Sequence, residues 1–132
     1  MKTLLIFLSF LCLSSLPIAA QEEAMEMPET MPIFPGGTEA MYLFVFKNVK
    51  YPTACRKERI SGKVIVRFVV DTTGYIEDPK IMRGVDSACG INEEALRVVN
   101  SMNELAGRWT PGTNKGKNVR AEFTLPFTFK LD

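Results

Sequence analysis

Residues 118–131, NVRAEFTLPFTFKL, carry the pattern that decides the fold. Val119, Ala121, Phe123, Leu125, Phe127, Phe129 and Leu131 are apolar, while Arg120, Glu122, Thr124, Thr128 and Lys130 between them are polar. A period of two puts successive side chains on opposite faces of a strand, so the run predicts a half-buried strand with one face on a core. Pro126 is its one departure from alternation.

Upstream of this strand, WTPGTNKGKN (109–118) reads as a long turn. Ala95, Val98, Val99 and Met102 recur at helical spacing, with Arg97 and Asn100 facing outward, which predicts a helix that gives way by Gly107. Asn92 suits its N-cap, and Glu93 and Glu94 suit the positive end of its dipole. Further back, Val64, Val66, Phe68 and Val70 alternate against Lys63, Ile65, Arg67 and Val69 as a second strand. DTTG (71–74) turns the chain tightly, and YIEDPKIMRG (75–84) returns as the other arm of a hairpin. Pro79 cannot donate to a ladder, so that arm is bulged or has a free edge there.

Nearer the start, Pro35-Gly36-Gly37 forms a turn and Thr38 opens a helix over EAMYLFVFKN (39–48), with Met41, Phe44 and Val45 sharing a face. Tyr51-Pro52 begins a second short helix, proline at its first position, that runs through about Arg59 and is ended by Gly62. Together these elements predict an α+β fold of two layers, a small antiparallel three-stranded sheet with helices packed on one face.

The 132 residues suffice for one domain. The first twenty, MKTLLIFLSFLCLSSLPIAA, read as a signal peptide: Lys2 is its positive start, Leu4 to Leu16 its apolar middle, and Pro17-Ile18-Ala19-Ala20 its small-residue exit, with cleavage before Gln21. The alternative is a short uncleaved membrane anchor, although the apolar run falls below the roughly 20 residues a bilayer needs. Cys12 follows Phe10-Leu11, which does not suit lipid attachment. The acidic, proline-bearing stretch that follows predicts a disordered lead over 21–34, and the folded domain occupies 35–132. Without Lys2 the sixteen basic residues become fifteen, against fifteen acidic ones, so nothing in the charge points to nucleic acid or an anionic membrane.

Chemistry is poorly provided for. The chain has no histidine, which removes the usual general base, the Ser-His and Cys-His nucleophile pairs and the commonest metal ligand. Cys55 and Cys89 remain after loss of the signal, too few and too far apart for a zinc site. Basic neighbours Arg56, Lys57 and Arg59 would favour a reactive thiolate at Cys55. The competing reading is a structural disulfide between Cys55 and Cys89, as expected of an even pair in an oxidising compartment without a CxxC spacing. An enzyme, a cofactor and a metal are not expected. A regular strand near a C-terminus often lies at a sheet edge and accepts an extended peptide as an extra strand; the other reading is an edge that is covered or dimerised.

Several stretches, in order and spacing, resemble the C-terminal domain of the TonB energy transducers. They are Tyr51-Pro52-x-Ala54, Ile60-x-Gly62-x-Val64-x-Val66-x-Phe68-x-Val70, Gly74-x-Ile76, Asn92-x-Glu94-Ala95-Leu96-Arg97-Val98-Val99, Trp109-x-Pro111-Gly112, Gly116-Lys117-x-Val119 and Leu125-Pro126-x-x-Phe129. The lead MPIFPGGTEA (31–40) is similar to a Pro-Gly-Gly-led variant of that domain. The resemblance implies a periplasmic domain that binds the TonB-box peptide of outer-membrane transporters by pairing it with the last strand. It implies contacts at Asn118, Val119, Arg120, Ala121, Glu122, Phe123, Thr124 and Leu125, with Asn48, Tyr51 and Pro52 beside them, and a structural role for Trp109, Pro111 and Gly112.

Two features depart from that family. A full transducer has an uncleaved inner-membrane anchor that couples to motor proteins, then a long spacer. Here about fifteen residues separate the apolar segment from the domain, a reach of roughly 50 Å at full extension. The insertion NELAGR (103–108) also lengthens the chain between Met102 and Trp109. Three expectations follow: a stand-alone periplasmic binding domain, a full transducer held at the inner membrane, or an envelope module that uses the strand edge for homodimerisation or protein contact.

Overall fold

The computed structural model describes residues 27–132, so the expected signal peptide and residues 21–26 of the lead lie outside the described residues. Three strands form the main sheet: β1 (Gly62–Val70), β2 (Ile76–Arg83) and β5 (Ala121–Phe129), antiparallel in the order β2-β1-β5. Three helices are α1 (Thr38–Asn48), α2 (Thr53–Lys57) and α3 (Ile91–Ser101). The α+β architecture and the three-stranded antiparallel sheet are those the periodicities predict.

The alternating runs explain the layers. Val64, Val66, Phe68 and Val70 of β1 and Ala121, Leu125, Phe127 and Phe129 of β5 are buried on one face. Ile91, Ala95, Val98, Val99 and Met102 come down on them from the α3 side, and Met41 contributes from α1. On the opposite, solvated face, Arg67 pairs with Glu122 at 3.7 Å and Arg120 with Glu77 at 2.7 Å. One face dry and one face wet is what alternating antiparallel strands deliver.

Several expectations need correction. The continuous strand 118–131 is broken at Arg120, because the segment before it belongs to a second, two-stranded ribbon. In that ribbon β3 (Gly112–Asn114) pairs with β4 (Lys117–Val119), so the long turn 109–118 is mostly a hairpin. The lead expected to be disordered to residue 34 is ordered at its end: Thr30 bridges to Thr113 and Ile33 to Thr110. Asn92 is not the cap of α3. Gly90, at φ 103°, takes that place, and the Asn92 amide instead bonds the N–H and C=O of Val85, both at 2.9 Å. Pro52 stands one place before α2 rather than inside it.

An aromatic cluster joins sheet to ribbon. Trp109 is buried with its ring edge-on to Phe34, Phe68 and Phe123, at centroid distances of 5.5, 5.5 and 5.1 Å. The backbone N–H of Trp109 donates to the Gly74 carbonyl at 3.2 Å, which fixes the start of the ribbon against the β1–β2 turn. The inserted residues 103–108 are ordered too: the Arg108 guanidinium lies 4.1 Å from the Tyr75 ring centroid and donates to the carbonyls of Asn103 and Leu105.

Candidate functional site

A three-stranded open sheet has two edges, and here they are unlike. The β2 edge is guarded. Its register against β1 shifts around Asp78-Pro79, where Asp78 has φ 52° and proline supplies no donor. The Asn103 amide takes up the N–H and C=O of Ile76 at 2.7 and 2.9 Å, at the start of the strand, and Asn92 does the same for Val85 just beyond its end. Glu77, Asp78, Lys80 and Arg83 add charge along it. Bulges, proline and charge are the usual means of keeping another strand off an edge.

The β5 edge carries less protection, and the direction of its backbone groups can be worked out. The Asp71 N–H donates to the Tyr75 carbonyl across the β1–β2 turn, so the odd-numbered residues of β1 face β2 and the even-numbered ones face β5. Val70, Phe68, Val66, Val64 and Gly62 lie opposite Ala121, Phe123, Leu125, Phe127 and Phe129. The backbone groups of Glu122, Thr124, Pro126 and Thr128 therefore point the other way, to the open edge. Pro126, which has no N–H to offer, sits in this outward set opposite Ile65, the placement its chemistry requires. Among the described residues no strand pairs with this edge.

Beside the far half of β5 runs a cleft of about 320 Å³. Tyr42, Val45, Phe46 and Val49 of α1 form one wall, and Pro126, Phe127, Thr128 and Phe129 form the other. Phe46 is 80% exposed and Tyr42 is 55% exposed, so the α1 wall turns aromatic surface to solvent.

The structure distributes the residues named from sequence unevenly. Asn118 and Val119 are committed to the ribbon opposite Thr113 and Gly112, and Asn118 also donates to the Thr72 carbonyl at 3.3 Å. Arg120 pairs with Glu77. Ala121 and Leu125 are buried, and Phe123 stacks in the Trp109 cluster. Only Glu122 and Thr124 of that group turn backbone donors and acceptors to the open edge. The Asn48–Pro52 segment sits at the other end of β5, where the Tyr51 ring meets Phe129 edge-on at 5.7 Å and its hydroxyl donates to the Ile60 carbonyl. Nine strand residues span roughly 27 Å, so the two groups are not one cluster.

That segment is clamped to α3. Arg97 donates to the Asn48 carbonyl at 2.7 Å, and Glu94 accepts from the Lys50 N–H and from Arg97. Partial burial would raise the Glu94 pKa, but the bonds from Arg97 and Lys50 outweigh it and hold the carboxyl below its ordinary range. Pro52 lines a cleft with Gly90, Glu93 and Arg97 instead of the β5 edge.

Tyr42, Phe46 and the 126–129 half of β5 were missed from sequence. The available signal was that α1 is apolar on nearly every side, Tyr42 and Leu43 adjoining Met41, Phe44, Val45 and Phe46. A surface helix of that kind presents apolar area with no core to cover it. Cys55 and Cys89 form a disulfide, with Cα atoms 5.0 Å apart, that ties α2 to the loop before α3. Among the described residues no three His, Cys, Asp or Glu side chains gather as a metal site.

Residues 47–131 match the family model described as the Gram-negative bacterial TonB protein C-terminal. The chain belongs to the TonB C-terminal family. Two solution structures of the Helicobacter pylori TonB C-terminal domain share this TonB-type fold. The form spanning that protein's residues 179–285 has a TM-score of 0.54 at 16% identity, covering 74% of this chain and 87% of that one. The form spanning residues 194–285 has a TM-score of 0.51 at 18% identity, covering 71% and 95%. No curated protein sequence matches the chain. The family match starts at Lys47, so nearly all of α1, and with it Tyr42 and Phe46, precedes the matched region.

Proposed function

We propose that this chain is a periplasmic TonB-type binding domain that engages the TonB-box peptide of outer-membrane transporters by strand addition at β5, in TonB-dependent transport. The family supports the transport setting. The observation that carries the mode of binding is the contrast between edges, β2 bulged and capped by Asn103 and Asn92, β5 open with Glu122, Thr124 and Thr128 offering donors. An extended peptide draws its affinity from such unpaired main-chain groups. Export rests on the signal-like segment 1–20, and among the described residues no helix is long and apolar enough to cross a membrane. The domain acts by binding and performs no catalysis.

The test is titration of a fluorescently labelled TonB-box peptide into the purified full chain and into Thr124→Pro. Thr124 points its N–H outward and its side chain is exposed, so proline there removes one edge donor and leaves the β1–β5 ladder intact. The expected result is saturable binding by the natural chain and at least tenfold weaker binding by the variant. Phe123→Pro would be uninformative, because the Phe123 N–H faces β1 and its ring belongs to the core. Equal affinity of a folded Thr124→Pro would refute strand addition at this edge.

A further inference from the structure

We infer that α1 is the second wall of the peptide site and selects a bulky apolar side chain, with Tyr42 and Phe46 as its specificity residues. This rests on the strand-addition reading. A strand laid along the open edge of β5 continues the pleat of the sheet, so every second side chain points to the helix-bearing face. Beside Pro126–Phe129 that face holds the cleft walled by Tyr42, Val45, Phe46 and Val49. Its 320 Å³ lies at the small end of the roughly 300–1,000 Å³ of ligand clefts, which suits side chains of a chain passing through it more than a separate small molecule.

The occupant is defined by the two walls together. The β5 wall offers the Thr128 N–H and the carbonyls of Pro126 and Thr128, which an extended main chain satisfies and a lipid or a helix does not. The α1 wall offers aromatic and β-branched surface without a charge among its four residues. A peptide with an aliphatic side chain at the position facing α1 meets both. The two halves of the edge then divide the work: Glu122 and Thr124 hold the main chain of any extended segment, and the α1 half discriminates by side chain. Pro126 between them gives a carbonyl and no donor, so one rung of the added ladder is half-made at the junction. This division also accounts for Phe46, 80% exposed on a helix whose Met41 is buried.

The experiment is a serine scan of the labelled TonB-box peptide, each aliphatic residue replaced in turn, titrated against the full chain and against Phe46→Ser, Tyr42→Ser and Thr124→Pro. Both α1 positions are exposed, so the variants are expected to keep the fold, and circular dichroism is the check that they do. Burial of one aliphatic side chain is large enough that one serine replacement is expected to weaken binding to the natural chain about tenfold. In Phe46→Ser that same replacement is expected to cost twofold or less, with Tyr42→Ser intermediate. Thr124→Pro is expected to weaken every peptide of the set alike. If the serine replacement that costs most against the natural chain costs as much against both α1 variants, or if no replacement is costly, the inference is overturned while strand addition stands. No binding of any peptide by the natural chain, or undiminished binding of all of them by Thr124→Pro, overturns both.

Discussion

At the scale of single residues, the fold is fixed by a few positions where backbone and side chain meet closely. Gly74 in the β1–β2 turn has φ 90°, and a Cβ placed there would lie 2.3 Å from the Trp109 carbonyl oxygen. Gly116 at the tip of the ribbon also has positive φ, 75°, but nothing lies within 4 Å of its Cβ position. Gly116→Ala therefore meets only the left-handed backbone penalty, about 1–2 kcal/mol. Gly74→Ala meets the same penalty plus a backbone clash, and is expected to cost about 3 kcal/mol or more. Urea denaturation of the two variants checks this, and equal costs would contradict the docking of Trp109 on the turn. Asn92 and Asn103 show where residue-level reading stops. Asparagine at a helix start reads as a cap, yet both amides act as substitute strand partners, for Val85 and Ile76. Nothing local in the sequence says that a distant strand end is the neighbour.

At the scale of elements, the long periodic runs were legible and the short ones were not. β1, β5 and α3 each carry several apolar residues at the period of their own structure, and the core consists largely of those residues. β3 and β4 have three residues each, too few to show a period, and their turn uses Lys115 and Gly116 at φ 50° and 75° in place of the usual Asn-Gly. The strand run therefore read straight through Arg120 into the ribbon, and Asn118 and Val119 were assigned to the wrong sheet. Of the two sequence readings of Cys55, a reactive thiolate or a partner for Cys89, the structure has the second, and the disulfide closes across 34 residues between α2 and the approach to α3. Loop-closure entropy puts its contribution at about 3–4 kcal/mol. Chemical denaturation of the oxidised protein and of Cys55→Ala/Cys89→Ala should differ by that amount. Coincident curves would mean that α2 is held by packing alone.

At the scale of the whole molecule, periodicity predicts a two-layer α+β domain with the last strand at an edge, but not whether that edge is open or covered. That depends on side chains reaching from α3 and the turn after it to the ends of β2, and on α1 standing beside β5, both products of assembly. The even-numbered residues of β5 are the proposed binding edge. Amide hydrogen exchange read residue by residue, with and without saturating TonB-box peptide, tests it most directly. In the free protein the N–H groups of Glu122, Thr124 and Thr128 are predicted to exchange much faster than those of Phe123, Leu125 and Phe127, and to slow at least tenfold when peptide binds. Protection that appears along β2 instead, or no change at those three amides under saturation, would contradict it.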